Sequence, residues 1–230
     1  MPTLLITGAN RGIGLELTKQ YLENGWEVHA CCRQPETAQD LSSLTDQHPQ
    51  LTIHALEVTN DAQMDALKAA LKGKPVDILL NNAGVHAKKA AQFGNTDTDA
   101  WEEAVAVNLI APMKMMEHFV ENVASSDKKI IASMSSKMGS IEDNTSGGSY
   151  AYRATKAALN AVMVSAAHDL RHLDITALIL HPGWVRTDMG GPHGELSVAE
   201  SAQKLRKILD ECDITDSGKF FDIDGSIIPW

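Results

Sequence analysis

Short apolar runs alternate with longer helical patterns along the whole sequence, and this alternation limits the folds open to the chain. Seven runs are typical of buried strands, at residues 4–7, 26–32, 51–58, 76–80, 129–134, 174–180 and 219–223. Helical patterns lie between them, at residues 12–24, 61–71, 101–123, 150–173 and 198–209. Strands that alternate with helices predict an α/β fold, a doubly wound parallel sheet with helices on both faces.

The organisation of the chain is simple. No shift in composition and no long linker divides the sequence, so we predict one domain over residues 1–230. The two stretches richest in glycine and small polar residues, 135–149 and 181–196, each follow a predicted strand. Because open α/β sheets bind ligands beyond the carboxyl ends of their strands, we expect both stretches to border a binding crevice.

Charge and composition exclude several classes of function. With 20 basic and 30 acidic residues the net charge is −10, which makes the chain a poor binder of nucleic acid. No apolar stretch is long enough to span a membrane, and no basic region precedes the first apolar run, so we expect neither a membrane segment nor a signal peptide. The three cysteines suit a reducing compartment, and we predict a cytoplasmic location. The nine histidines form no H-E-x-x-H pair, and we expect no metal site.

A glycine-rich turn directly follows the first predicted strand, in the segment Thr7-Gly8-Ala9-Asn10-Arg11-Gly12-Ile13-Gly14. Glycines there let the backbone approach a pyrophosphate, and the helix that begins in the turn directs its free N–H groups at the anion. The G-x-x-x-G-x-G spacing differs from the ordinary G-x-G-x-x-G pattern. The turn could also serve only to pack helix against strand. Its place after the first strand favours a dinucleotide site.

The end of the second predicted strand indicates which dinucleotide would bind. An NAD site usually has an acidic residue there that binds the ribose 2′-hydroxyl, whereas this chain has Cys31-Cys32-Arg33. Arg33 could pair with a 2′-phosphate, and Arg11 could reach the same group. Either could instead be a solvated surface arginine. Together with the missing acid they favour NADP(H) over NAD(H).

Tyr152 and Lys156 are four residues apart and lie on one face of a predicted helix. A nearby ammonium stabilises a phenolate and lowers a pKa that is about 10 in an unperturbed tyrosine. A tyrosine in this setting could serve as a general acid. A surface tyrosine that leans on a lysine side chain is the alternative, since the spacing also occurs by chance.

Further polar residues stand where predicted strands end. Ser135 and Ser136 follow the fifth strand, where either hydroxyl could bind a substrate carbonyl. Asn108 lies inside an apolar helical stretch and is either a satisfied core group or part of a proton relay. The glycine-containing segment after the sixth strand is either a flexible lid or a plain surface loop.

Together these motifs resemble the short-chain dehydrogenase/reductase family. The shared pattern comprises Thr7-Gly8-x3-Gly12-x-Gly14, Asn81-Asn82-Ala83-Gly84, Asn108, Ser136, Tyr152 with Lys156, and Pro182-Gly183, in the family's order and approximate spacing. Residues 135–160, and less specifically 225–230, look closest to the C-factor/sniffer-like carbonyl reductase branch.

The resemblance implies a Rossmann-type sheet of order 3-2-1-4-5-6-7 and an NADPH-dependent reductase of small ketones or aldehydes. Tyr152 would protonate the developing alkoxide, and Lys156 would lower the tyrosine pKa and hold the nicotinamide ribose. Ser136 would orient the carbonyl, and Asn108 would tie Lys156 to a water relay. A cofactor-binding signalling protein of C-factor type and a 3-oxoacyl reductase are the alternatives. Members of the family pair through the long helices, which implies a homodimer or homotetramer, and small members can also be monomers.

The resemblance also implies a set of cofactor-binding residues. The backbone of Val185 and the side chain of Thr187 would hold the nicotinamide carboxamide, and Glu57 stands where many members have Asp beside the adenine. Substrate specificity would lie in residues 85–98, 137–149 and 190–196. The full cofactor set is Gly8, Asn10, Arg11, Gly12, Ile13, Gly14, Arg33, Glu57, Val58, Asn82, Ala83, Gly84, Tyr152, Lys156, Pro182, Gly183, Val185 and Thr187.

Overall fold

A computed structural model describes residues 1–86 and 92–230 of the chain. Within these residues, seven parallel strands form one sheet in the order β3-β2-β1-β4-β5-β6-β7, which confirms the predicted topology. The strands are β1 (Thr3–Thr7), β2 (Glu27–Cys32), β3 (Leu51–Ala55), β4 (Ile78–Asn81), β5 (Ile130–Met134), β6 (Thr176–Leu180) and β7 (Phe220–Phe221). Residues 87–91, which belong to one predicted specificity segment, lie outside the described residues.

The α-helices of the described residues alternate with these strands. They are α1 (Gly12–Glu23), α2 (Gln39–Ser42), α3 (Asp61–Ala70), α4 (Thr98–Val105), α5 (Ala111–Ala124), α6 (Tyr150–Asp169) and α7 (Val198–Glu211). Short 3₁₀ turns occur at Pro35–Thr37, Ser43–Asp46, Lys137–Gly139, Arg171–Leu173 and Ile214–Asp216. Within residues 1–86 and 92–230, no helix has the length and apolar character that crossing a membrane requires.

The helix predicted over residues 101–123 is interrupted. A π-helical segment, Ala106–Ile110, joins α4 to α5, and the Ala111 N–H donates to the Ala106 carbonyl five residues back. Pro112 follows at the start of α5. Proline has no N–H to offer the carbonyl of Asn108 four residues earlier, so the regular α-helical pattern cannot continue through this point.

Two apolar layers cover the sheet, because successive strand residues point to opposite faces. On one face Ile6 belongs to a cluster with Leu17 of α1 and Leu205 of α7. On the other face Leu5 belongs to a cluster with Phe119 of α5 and with side chains of α3 and α6. This packing fixes the carboxyl ends of β1, β4, β5 and β6 along one edge, where the polar motifs follow.

Side-chain caps distinguish three of these helices from the first. Asn60, Asp97 and Ser197 each accept a backbone N–H at the start of α3, α4 and α7. By contrast, Arg11 precedes α1 without a side-chain cap. The first-turn N–H groups of α1 therefore point outward at the carboxyl edge of the sheet, where they can bind an anion.

Candidate active site

A cleft of about 760 Å³ runs along the carboxyl edge of the sheet. Two residues of the predicted cofactor set, Gly183 and Val185, do not line it, although their neighbours in the same segment do. The other sixteen all line it: Gly8, Asn10, Arg11, Gly12, Ile13, Gly14, Arg33, Glu57, Val58, Asn82, Ala83, Gly84, Tyr152, Lys156, Pro182 and Thr187.

The glycine turn is locked to the end of β4. The Thr7 hydroxyl accepts the backbone N–H groups of Asn82 and Ala83, at 3.1 and 3.0 Å. The Asn82 amide donates in return to the carbonyls of Thr7 and Gly8, at 2.9 and 3.1 Å. A Cβ at Gly14 would overlap the Gly8 carbonyl and the Asn82 amide, so only glycine fits there. The closely packed turn and the uncapped start of α1 fit the pyrophosphate of a dinucleotide.

The two arginines at the far end of the cleft have carboxylate neighbours. An Arg33 nitrogen lies 3.9 Å from a carboxylate oxygen of Glu57, and both side chains line the cleft. Arg11 pairs at 3.1 Å with Asp188, which is far from it in sequence. Gln34 and Thr37 also line this end, and the sequence reasoning missed them; the only available signal was their polar character directly after β2.

The two consecutive serines after β5 have different partners. The Ser135 hydroxyl is buried and donates to the Asn160 side chain at 2.6 Å. The Ser136 hydroxyl accepts the Met138 N–H at 3.2 Å and lies beside the phenol of Tyr152, whose pKa it lowers. Ser136 is thus the serine next to the tyrosine, an alternative that the sequence left open.

Tyr152 is buried near the start of α6, with its side chain at the cleft. Burial raises the pKa of its phenol above the ordinary value of 10, and the hydrogen bond with Ser136 opposes that rise. Lys156 is not among the groups that shift this pKa, and its ammonium lies 5.7 Å from the centre of the phenol ring.

Lys156 lies one helical turn beyond Tyr152 and is almost fully buried. Its ammonium donates to the carbonyl of Met134 at 2.8 Å. Burial lowers the pKa of this ammonium to about 8, so most of the population is still charged at pH 7. A charged donor therefore stands at the cleft, beside the end of β5.

The Asn108 side chain is fully buried and has several partners. Its carbonyl accepts from the Val85 N–H at 2.8 Å, and its amide donates to the Val85 carbonyl at 2.8 Å and to the Thr155 hydroxyl at 3.2 Å. The sequence left open whether Asn108 is a core group or part of a proton relay. Its side chain is a core group, because its polar atoms form hydrogen bonds within the protein. The main-chain carbonyl of Asn108 lies in the π-helical segment, and Pro112 cannot donate to it because proline has no N–H.

The segment after β6 is a cross-linked loop. Val185 and Leu196 form a backbone bridge, and the Trp184 indole donates to the Gly190 carbonyl at 2.8 Å. A Cβ at Gly190 would overlap the Val185 carbonyl. Gly190 is therefore explained by the close approach of the Val185 backbone, and not by a need for flexibility in the loop. The loop reaches the cleft through Arg186, Thr187, Asp188 and Met189.

His86 lies against Tyr152, and the sequence reasoning did not single it out. The two rings are stacked, with centroids 4.6 Å apart and planes inclined by 21°. The only sequence signal was its position two residues after the Asn-Asn-Ala-Gly motif. Nothing in the local pattern indicates contact with a residue 66 positions away.

Comparison with known proteins decides the family. The model of the short chain dehydrogenase family matches residues 2–196. The chain belongs to this family. Among its members, the C-signal protein of Myxococcus xanthus is 38% identical over 156 residues, which cover 68% of this chain and 93% of that protein.

Solved structures agree with this membership over the whole chain. The carbonyl reductase Sniffer of D. melanogaster is 32% identical, with a TM-score of 0.94 and full coverage of both chains. The NADPH-bound carbonyl reductase from chicken fatty liver is 34% identical, with a TM-score of 0.94 over 100% of this chain and 99% of that one. The expected likeness to the carbonyl reductase branch is confirmed.

Proposed function

We propose that the protein is an NADPH-dependent reductase of small ketones or aldehydes. One observation carries this proposal: the buried phenol of Tyr152 lies beside Ser136 and one helical turn from Lys156, in a cleft that also contains the glycine turn. Bound NADPH would supply a hydride to the carbonyl carbon. The carbonyl oxygen must then receive a proton, which leaves an alcohol and NADP⁺ as products.

Tyr152 would donate that proton. Because burial raises its pKa, the phenol is protonated at neutral pH, which is the form needed to protonate an alkoxide. Ser136, which lies beside the same phenol, would donate to the carbonyl oxygen and hold it next to Tyr152.

Lys156 and Asn108 would support the tyrosine. The Lys156 ammonium would hold the ribose hydroxyls of the cofactor, since a charged donor forms strong hydrogen bonds with such oxygens. The Asn108 carbonyl in the π-helical segment is a suitable acceptor for a water that connects Lys156 to solvent, because Pro112 cannot donate to it. That chain could return a proton to Tyr152 after each turnover.

The preference for NADPH over NADH rests on the arginines and on the likeness to an NADPH-bound enzyme. Arg33 and Arg11 both line the cleft, and each carries an exposed guanidinium suited to a phosphate. The solved chicken enzyme is described with bound NADPH. Both observations support a 2′-phosphate site beside the end of β2.

A carbonyl panel tests the proposal. Purified protein is mixed with NADPH and small ketones, aromatic and aliphatic aldehydes, and a 3-oxoacyl thioester, and both NADPH loss and the alcohol product are measured. We expect turnover with simple carbonyls. Turnover with the thioester alone would support a 3-oxoacyl reductase instead, and no turnover with any member would contradict the proposal.

The likeness to C-signal supports a second candidate, a cofactor-binding signalling protein with little turnover. A protein partner that binds the Tyr152→Phe variant as well as the wild type, in a chain without turnover, would favour it. The single domain over residues 1–230, the homodimer or homotetramer, and the cytoplasmic location stay predictions.

A further inference from the structure

The stacked pair of His86 and Tyr152 has a geometry suited to holding the reacting tyrosine. A centroid separation of 4.6 Å and an inclination of 21° lie within the range of attractive aromatic pairs. Ser136 lies beside the phenolic oxygen at one end of the Tyr152 side chain. The imidazole restrains the plane of the ring, which a contact at the oxygen alone leaves free to turn.

The backbone that carries His86 is itself tied to the helix that carries Tyr152. Asn108 bonds both the N–H and the carbonyl of Val85, the residue before His86. The same amide donates to the Thr155 hydroxyl, which in turn donates to the Tyr152 carbonyl at 3.0 Å. A continuous set of short hydrogen bonds therefore fixes the relative position of the two rings.

We propose that His86 is a positioning residue for Tyr152, and that it acts through the face of its ring. The stack holds the phenol in the plane from which its O–H group points at the substrate oxygen. A small misplacement of an acid costs rate without loss of cofactor binding, since proton transfer depends steeply on geometry. This inference rests on the proposed function and adds a residue to the same site.

Two variants and a matched control test the inference by kinetics. His86→Ala removes the ring, and His86→Phe keeps a flat aromatic face without the imidazole nitrogens. His172→Ala is the control, because His172 is exposed and lies beyond the opposite end of α6. We expect His86→Ala to lower kcat by about 10- to 100-fold, with an NADPH Kd and a Tm close to those of the wild type. His86→Phe should recover most of kcat, and the control should match the wild type.

A second measurement does not depend on turnover. The chain has three tyrosines, so their ring resonances can be followed by NMR after ¹³C labelling, with Tyr152→Phe to assign the signal of Tyr152. Loss of the stacked imidazole should shift that signal in His86→Ala and leave it unchanged in His172→Ala.

The outcomes separate this inference from the proposed function. Wild-type kcat in His86→Ala, or an unshifted Tyr152 signal, overturns the positioning role. A loss in His86→Ala that His86→Phe does not recover also overturns it, because the imidazole nitrogens would then be what matters. Absence of turnover in the wild type contradicts the proposed function, while the NMR result still decides whether the His86 ring stacks on Tyr152 in solution.

Discussion

The neighbouring hydroxyls of Ser135 and Ser136 have different surroundings, and their substitution should have different consequences. Ser136 lies beside the phenol of Tyr152, so Ser136→Ala should lower kcat about tenfold or more while stability changes little. Ser135 donates to buried Asn160, so Ser135→Ala should lower the free energy of unfolding by about 1–3 kcal/mol. Steady-state kinetics and urea unfolding of both variants check this. Equal kinetic loss in the two would contradict the assignment.

Arg33 should determine the choice of cofactor. Its guanidinium is exposed beside the cleft, where a 2′-phosphate would form charge-assisted hydrogen bonds with it. Arg33→Asp should weaken NADPH binding by about 10- to 100-fold and NADH binding far less. Titrations of both nucleotides, monitored by ligand fluorescence, give the ratio of the Kd in the variant to that in the wild type for each nucleotide. An equal effect on both would mean that Arg33 is only a surface charge.

The loop after β6 meets the glycine turn through an exposed ion pair. Asp188 holds Arg11 at 3.1 Å, and the two side chains are 80% and 68% exposed. Arg11 cannot pair fully with both Asp188 and a cofactor phosphate, so the carboxylate competes with the ligand.

Asp188→Asn should therefore tighten NADPH binding, by up to about fivefold at low salt, because exposed ion pairs contribute about 1 kcal/mol or less. The gain should shrink as salt screens the charges. Glu195→Gln, a loss of one charge elsewhere on the same loop, should leave the Kd nearly unchanged. Weaker binding in Asp188→Asn would show that the carboxylate supports the ligand instead.

The charge state of two histidines should make the stability of the whole fold depend on pH. His29 of β2 and His54 of β3 face each other with ring nitrogens 3.0 Å apart. Burial, together with nearby Lys74, lowers the pKa of His29 to about 4. Burial also lowers the pKa of His54 to about 4, with smaller contributions from His29 and Lys74. The folded state therefore favours neutral rings, whereas the unfolded chain takes up protons near pH 6.5.

The stabilisation that comes from keeping both rings neutral should thus be fully present above about pH 6.5. It should be lost as the pH drops towards 4, so the free energy of unfolding should fall over that range. Urea unfolding at closely spaced pH values measures this slope. His54→Gln removes one titrating ring and should make the slope between pH 6.5 and 4 shallower. If His54→Gln had the same slope as the wild type, the two histidines would not be the source of this pH dependence.

Patterns within the sequence were enough to predict much of the molecule. The alternation of strands and helices predicted the parallel sheet, and the resemblance to the family implied its strand order. The Tyr152–Lys156 spacing placed both residues on one face of a helix. The missing features are contacts between distant segments. His86 meets Tyr152, and Arg11 meets Asp188, only after β4 and β6 have been placed in the sheet. The net rise in the Tyr152 pKa depends on burial, which spacing alone does not give.

The central claim is that Tyr152 protonates a carbonyl reduced by NADPH. The most direct measurement compares wild type and Tyr152→Phe with the best carbonyl of the panel, recording kcat and, separately, the NADPH Kd. We expect kcat to fall at least ~10²-fold in the variant while the Kd stays nearly unchanged. Unchanged turnover in Tyr152→Phe would contradict it.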